Sequence, residues 1–308
     1  MKTLRTPDER FEGLDGYPFE PHYAEVAALA GDRDRDGGRL RVHYLDEGPG
    51  EAAPVLLMHG EPTWAFLYRH MIPVLTAAGH RCIVPDLVGF GRSDKPADTA
   101  SYTYARMVDW TAQLVFYHLD LRDISYFGQD WGALIGLRLL ARDPDRFARA
   151  AIGNGGLPTG FNTPTEAFTA WQRYSRESER FDIGKIVAGG CLGGLSDADR
   201  AAYDAPFPDD SYKAGARILP SLVPTSTDDP AHSDNVAAWD VLKEFDRPFL
   251  CTFSDGDKVT AGGERPFLRD VPGAQGQPHV TVEGGGHFLQ EDRGPELAAI
   301  LVDFIARG

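Results

Sequence analysis

Gly128-Gln129-Asp130-Trp131-Gly132 is the segment that most restricts what this chain can become. It closes a short apolar run, Ile124 to Phe127, and opens directly into Ala133 to Ala141, a stretch with helical character. Small residues flanking one reactive side chain fit a sharp strand-to-helix elbow, which exposes that side chain above a sheet. An elbow of this kind ordinarily carries serine; here it carries a carboxylate. Serine must lose a proton before it attacks, whereas a carboxylate is already ionised at neutral pH. A carboxylate nucleophile suits displacement at a saturated carbon and leaves an alkyl ester on the protein. The elbow alone does not say what departs from that carbon.

The rest of the chain supplies the sheet. Residues Arg39 to Glu47 alternate like an antiparallel strand with one wet face. Pro54 to Met58, Cys82 to Val84, Ile124 to Phe127 and Ala150 to Ile152 are continuous apolar runs, each followed by glycine-bearing loop residues. Strands covered on both faces of a parallel sheet read this way. Between them, Tyr104 to Leu119 has apolar residues near helical spacing. After residue 235 the rhythm resumes with strands at Phe249 to Phe253 and His279 to Val282, then a closing helix from Pro295 to Ala306. Pro295 fits the first turn of that helix.

Residues 156–232 break the pattern. They are rich in Pro, Gly, Ser and Asp, with helical pieces at Glu166 to Glu177 and Tyr212 to Ile218. The expected organisation is a core of residues 1–155 and 233–308 with a helical cap, 156–232, inserted between two halves of one sheet. Ligands of α/β folds sit beyond the carboxyl ends of the strands, so such a cap roofs the site. Residues 1–38 read as irregular, and no internal repeat is visible.

Composition narrows the partners. A net charge of −15 excludes nucleic acid and anionic membrane surfaces, which need basic patches. No apolar run approaches the ~20 residues of a membrane span. Cys82, Cys191 and Cys251 are few, odd in number and set in mostly apolar contexts, which suggests free thiols in a reducing compartment. The first nine residues hold no apolar run of the secretory kind, so a cytoplasmic protein, monomeric by default, is expected.

A hydrolytic site on such a sheet takes nucleophile, acid and histidine in that chain order. Asp130, Asp257 and His287 follow that order, each where a strand hands over to a loop. Asp255 competes with Asp257 for the acid role; taken alone, either is an ordinary turn residue. Because Asp130 needs no base, His287 is free for a second step, in which it deprotonates a water. Asp257 then orients the imidazole. Ester hydrolysis builds an oxyanion that needs two donors. The backbone N–H of Trp131, next to the nucleophile, is one; that of Glu61, in His59-Gly60-Glu61-Pro62, is the other candidate. His59 and His118 stand alone, without metal-ligand spacing.

The indole of Trp131 adds a donor with no acceptor capacity. Such a neutral donor suits a halide leaving group, which builds negative charge and takes no proton. Trp171 offers a second indole, although a lone helical Trp is more often core packing. At this point the residues carry a resemblance. His59-Gly60-Glu61-Pro62-Thr63-Trp64, Asp86-Leu87-Val88-Gly89-Phe90-Gly91-Arg92-Ser93-Asp94-Lys95-Pro96, Gly128-Gln129-Asp130-Trp131-Gly132 and Gly286-His287-Phe288 resemble haloalkane dehalogenases of the α/β-hydrolase superfamily. The leader Leu14-Asp15-Gly16-Tyr17-Pro18-Phe19 and Tyr44-Leu45-Asp46-Glu47-Gly48 extend the match to nearly the whole chain.

The resemblance implies an α/β-hydrolase fold with a mostly parallel eight-stranded sheet flanked by helices and an inserted helical cap. It implies hydrolysis of haloalkanes to alcohol, halide and a proton, without cofactor or metal. Trp131 and Trp171 would bind the halide, and Phe168 would line the pocket. The nearest alternative is an epoxide hydrolase, which shares the carboxylate elbow and would recruit proton donors from Tyr174, Tyr203 or Tyr212. A haloacid dehalogenase would want arginines in the pocket, and Arg173 and Arg176 are the candidates. A non-enzymatic receptor on the same fold would have no need of all three triad members.

Overall fold

The computed structural model describes residues 1–29 and 38–307. The described strands are β1 (Thr3–Leu4), β2 (His22–Ala27), β3 (Arg39–Glu47), β4 (Pro54–Met58), β5 (Arg81–Pro85), β6 (Lys95–Pro96), β7 (Ile124–Gln129), β8 (Phe147–Gly153), β9 (Phe249–Ser254) and β10 (Val280–Val282). The α-helices are α1 (Ile72–Ala77), α2 (Tyr104–Ala112), α3 (Trp131–Arg142), α4 (Glu166–Glu177), α5 (Ile183–Gly190), α6 (Asp197–Asp204), α7 (Ala214–Leu222), α8 (His232–Leu242), α9 (Arg265–Asp270) and α10 (Leu289–Ala306).

Eight strands form one sheet in the order β10-β9-β8-β7-β4-β5-β3-β2. From β10 to β5 every pairing is parallel; β3 alone runs against its neighbours β5 and β2. All residues of β4 and β7 are buried, as strands covered on both faces must be. The sequence expectation of an α/β-hydrolase fold with a mostly parallel eight-stranded sheet is met, and the apolar runs fall on its strands. β4 and β7 are adjacent at the centre, so the loops after Met58 and after Gln129 meet above the sheet.

Four expectations needed correction. The leader is not wholly irregular: β2 lies at the sheet edge and β1 pairs with β6. Its run His22–Ala27 buries mainly the small side chains of Ala24, Val26 and Ala27, a weak sequence signal. Residues 30–37, also expected to be irregular, lie outside the described residues. The helix expected over Tyr104 to Leu119 is α-helical only to Ala112 and then widens to a π-helical turn, Gln113–His118. There the Gln113 amide bonds both backbone groups of Ala27, tying this segment to the end of β2. The closing helix begins earlier than expected, at Leu289, and kinks at Arg293, which puts Pro295 in the first turn of its longer segment.

The helices α4 to α7 lie between β8 and β9. Buried polar contacts tie them to the sheet-bearing part. Arg69 forks onto Glu291 and Asp199 of α6, and Tyr203 of α6 hydrogen-bonds Glu291. Asp292 accepts the N–H groups of Leu192, Gly193 and Gly286, binding the segment after α5 to the loop before α10. The expected helix at Tyr212 starts as α7 two residues later, because Asp209 caps a 3₁₀ turn over Asp210–Tyr212. No helix among the described residues is long and apolar enough to cross a membrane.

Candidate active site

The turn from β7 into α3 forces Asp130 to φ 51° and ψ −126°, a strained conformation for a residue with a side chain. The backbone is held there. Asp130 N–H donates to Asn154 O at 3.0 Å, and Asp130 O accepts from Leu134 N–H at 3.1 Å. Gly132 lets the helix approach: a Cβ there would come within 2.0 Å of Met58 O. Gly60 does the same for the facing loop, since a Cβ would meet the Asp130 side chain at 2.4 Å. That close approach lets Glu61 N–H donate to Asp130 Oδ1 at 2.8 Å. Trp131 begins α3, where backbone N–H groups have no partner within the helix.

His287 sits between two carboxylates. Its Nε2 lies 3.5 Å from Asp130 Oδ2 and its Nδ1 3.2 Å from Asp257 Oδ1. Both are charge contacts, longer than a well-aligned charge-assisted hydrogen bond. Burial works against the imidazolium, but the Asp257 and Asp130 carboxylates outweigh it and raise the His287 pKa to about 10. Burial likewise pushes the Asp257 carboxyl up. His287, the Thr260 hydroxyl and the Val259 N–H outweigh it and hold the carboxyl at about 2. Asp255, the rival acid, is exposed and accepts from Gly284 N–H at 2.8 Å, a turn contact. Asp257 is therefore the carboxylate that faces the histidine.

The histidine loop is fixed by residues the sequence reading did not single out. Asn154, with φ 40°, donates from Nδ2 to Gly286 O at 2.8 Å and His287 O at 3.0 Å, and accepts Ser254 N–H at 2.9 Å. Gln129 Nε2 donates to His287 O at 3.1 Å. Gly190 O, at the end of α5, accepts His287 N–H at 2.7 Å. The one available signal was a polar residue, Asn154, ending an apolar strand between glycines.

Asp130 opens into a cavity of about 540 Å³. Trp131, Trp171, Phe168, Leu134 and Glu61 line it near the carboxylate. Trp131 is buried against Tyr104 at a ring-centroid distance of 4.9 Å. Trp171 is half-buried and stacks on Phe181 and Tyr174. The tyrosines that an epoxide hydrolase would use are elsewhere. Tyr203 bonds Glu291, exposed Tyr174 bonds Arg180 O, and Tyr212 does not line the cavity. Arg173 and Arg176 are exposed and stand outside the cavity wall. Among the described residues no group of three or more His, Cys, Asp or Glu could hold a metal ion. His59 is satisfied locally: Nδ1 donates to Gly60 O and Nε2 accepts Leu87 N–H.

Known proteins agree with this architecture. The family model of the alpha/beta hydrolase fold matches residues 53–294. A haloalkane dehalogenase of Psychrobacter cryohalolentis K5 is 56% identical over 305 residues, covering 99% of this chain and 98% of its own length. Another, of Mycolicibacterium paratuberculosis K-10, is 50% identical over 298 residues, covering 97% of this chain and 96% of its own. Among solved structures, a haloalkane dehalogenase of Paraglaciecola agarilytica NO2, described as tetrameric, superposes with a TM-score of 0.87. It is 34% identical and is matched over 100% of this chain and 99% of its own. With the carboxylate elbow, this establishes that the chain belongs to the haloalkane dehalogenases of the α/β-hydrolase fold.

Proposed function

We propose that the protein hydrolyses carbon–halogen bonds of haloalkanes, with Asp130 as nucleophile, His287 as base and Asp257 as its orienting acid. The observation that carries this reading is that two indoles, Trp131 and Trp171, share a cavity wall with the Asp130 carboxylate.

The geometry divides the work. Glu61 N–H holds Oδ1 of Asp130, so Oδ2 is the oxygen left to attack. It forms a bond to the halogen-bearing carbon as the carbon–halogen bond breaks, and the halide departs with the electron pair. The indoles stabilise that anion as fixed neutral donors. The ester no longer carries the Asp130 charge, so one of the two carboxylates that held His287 protonated is gone. Its proton affinity falls, its proton passes to solvent, and the neutral imidazole then takes a proton from water that attacks Cγ. Oδ1 then becomes the oxyanion, held by Glu61 N–H and Trp131 N–H. Collapse breaks the bond between Cγ and the ester oxygen; the alkoxide takes the proton from His287 and leaves as alcohol, and the new Asp130 carboxyl returns its proton to the imidazole.

The helical segment 156–232 is proposed as a cap domain over a core of 1–155 and 233–308; Trp171 and Phe168 are its contribution to the pocket wall. Action as a monomer is part of the proposal, and sedimentation against the tetrameric relative tests it. Three buried free thiols fit a cytoplasmic location. The deciding experiment supplies 1,2-dibromoethane and 1-bromobutane to the purified protein. Bromide and acid are released, and Asp130→Ala abolishes both. Turnover of styrene oxide with no bromide from any haloalkane would overturn the reading.

A further inference from the structure

His287 follows three glycines, Gly284-Gly285-Gly286. Glycine has more backbone freedom to lose on folding than any other residue. Nothing local to this run fixes the imidazole, so partners from elsewhere in the chain must. Asn154, just after β8, holds the carbonyls of Gly286 and His287. A different part of the chain holds the N–H groups. Gly286 N–H donates to Asp292 Oδ2 at 2.7 Å. His287 N–H donates to Gly190 O at 2.7 Å, and Phe288 N–H reaches the same carbonyl at 3.4 Å.

Asp292 joins these two anchors. It stands in the first turn of α10 and also accepts Leu192 N–H at 2.9 Å and Gly193 N–H at 2.8 Å. Hydrogen bonds to a carboxylate are about twice as strong as neutral ones. The segment 190–193 is thereby drawn tightly onto the histidine loop. A Cβ on Gly190 would meet the Phe288 ring at 2.6 Å. The same segment reaches the acid. A Cβ on Gly256, next to Asp257, would come within 2.7 Å of Leu192 Cδ1. Gly256 N–H in turn donates to Gly285 O at 3.0 Å. One stretch after α5 thus packs on the loops of both His287 and Asp257.

We propose that Asp292 is a positioning residue for ester hydrolysis: it clamps residues 190–193, part of the proposed cap, onto the loop that carries His287, and so sets the imidazole between Asp130 and Asp257. This rests on reading His287 as the base of the second step. Displacement of halide does not use the imidazole, so loosening the clamp slows water attack and spares the first step. Glu291, one residue earlier, provides the contrast. It too ties the proposed cap to the rest of the chain, but its bonds run to Arg69 and Tyr203 rather than to the histidine loop.

The test separates the two steps. D292N places an amide group among N–H donors and forfeits at least one of the three hydrogen bonds. Mixed with 1-bromobutane, it should release its first bromide at the native rate. Its ester on Asp130 should then last on the order of tenfold to a hundredfold longer, the scale of misplacing a catalytic group by about 1 Å. Rapid-quench bromide measures the first step, and mass spectrometry of the peptide containing Asp130 measures the second. G190A reaches the same loop without removing a hydrogen bond. Alanine suits the last turn of α5, but its Cβ displaces Phe288. It should prolong the ester as well, and it decides the question where D292N does not fold. A native ester lifetime in folded D292N, or in G190A where D292N does not fold, overturns the inference. Equal slowing by E291Q, or a D292N protein that loses halide release in step with ester hydrolysis, overturns it too, because either marks general loosening. H287F guards the reading beneath. If it releases no bromide, the division between the two steps fails; if it traps the ester while D292N and G190A do not, only the clamp fails.

Discussion

Nε2 of His287 lies 3.5 Å from Oδ2 of Asp130, and this contact exists only while Asp130 is a free carboxylate. Esterifying that oxygen removes a charge that raises the imidazole pKa. The first chemical step thus prepares the base for the second.

Replacing His287 by phenylalanine leaves the first step intact. The variant should release about one halide per active site and then stop, with an alkyl ester on Asp130. Bromide quantified in a rapid burst, and mass spectrometry of the peptide containing Asp130, check this. No halide at all would mean that His287 takes part in displacement.

The charged trio gives stability a pH dependence. A histidine raised from about 6.5 contributes fully below that value and loses its contribution as pH climbs through about 10. Asp257 behaves oppositely: its contribution is full above the ordinary carboxylate range and is lost as pH falls through about 2. The stability advantage of native protein over His287→Phe should therefore shrink by an amount on the order of a few kcal/mol between about pH 6.5 and about pH 10. Urea unfolding at several pH values measures it, and a constant difference would count against the ion trio.

Trp171→Phe keeps an aromatic ring and removes one donor. Halide affinity and the displacement rate should each fall by about 1.5–3 kcal/mol, the worth of a hydrogen bond to a charged group. Fluorescence titration and single-turnover kinetics give the two numbers. Unchanged affinity would return Trp171 to a packing role with Phe181.

Asn154→Ala strands the N–H of Ser254 and removes one of two donors from each of the carbonyls of Gly286 and His287, which keep the Ser254 hydroxyl and Gln129 Nε2. The one buried orphan costs about 1–3 kcal/mol and the two further lost hydrogen bonds add about 0.5–1.5 kcal/mol each, so a loss on the order of 2–4 kcal/mol is expected. Displaced histidine geometry should lower kcat more than it raises KM. A variant with native melting temperature and native kcat would show that Gln129 and Gly190 suffice to hold the loop.

The sheet was legible because its signals are local. A run such as Pro54–Met58 is apolar on both faces, and only a strand buried on both sides accommodates that. The elbow was legible for the same reason: Gly128 and Gly132 must stand two residues either side of Asp130 to permit the turn. The edge strand His22–Ala27 was missed because it buries mainly small side chains. The early start of α10 was missed because the segment Leu289–Asp292 is fixed by long-range partners rather than by helix propensity.

The sequence by itself determined the order of Asp130, Asp257 and His287, the carboxylate at the elbow and the strand-rich core, since these follow from residue type and near-neighbour pattern. Which aspartate faces His287 and where Asn154 sends its amide were decided only by the tertiary structure. Those contacts span 30 to 133 residues of chain. Their distances depend on how strands stack and loops close, and spacing along the chain carries no record of either.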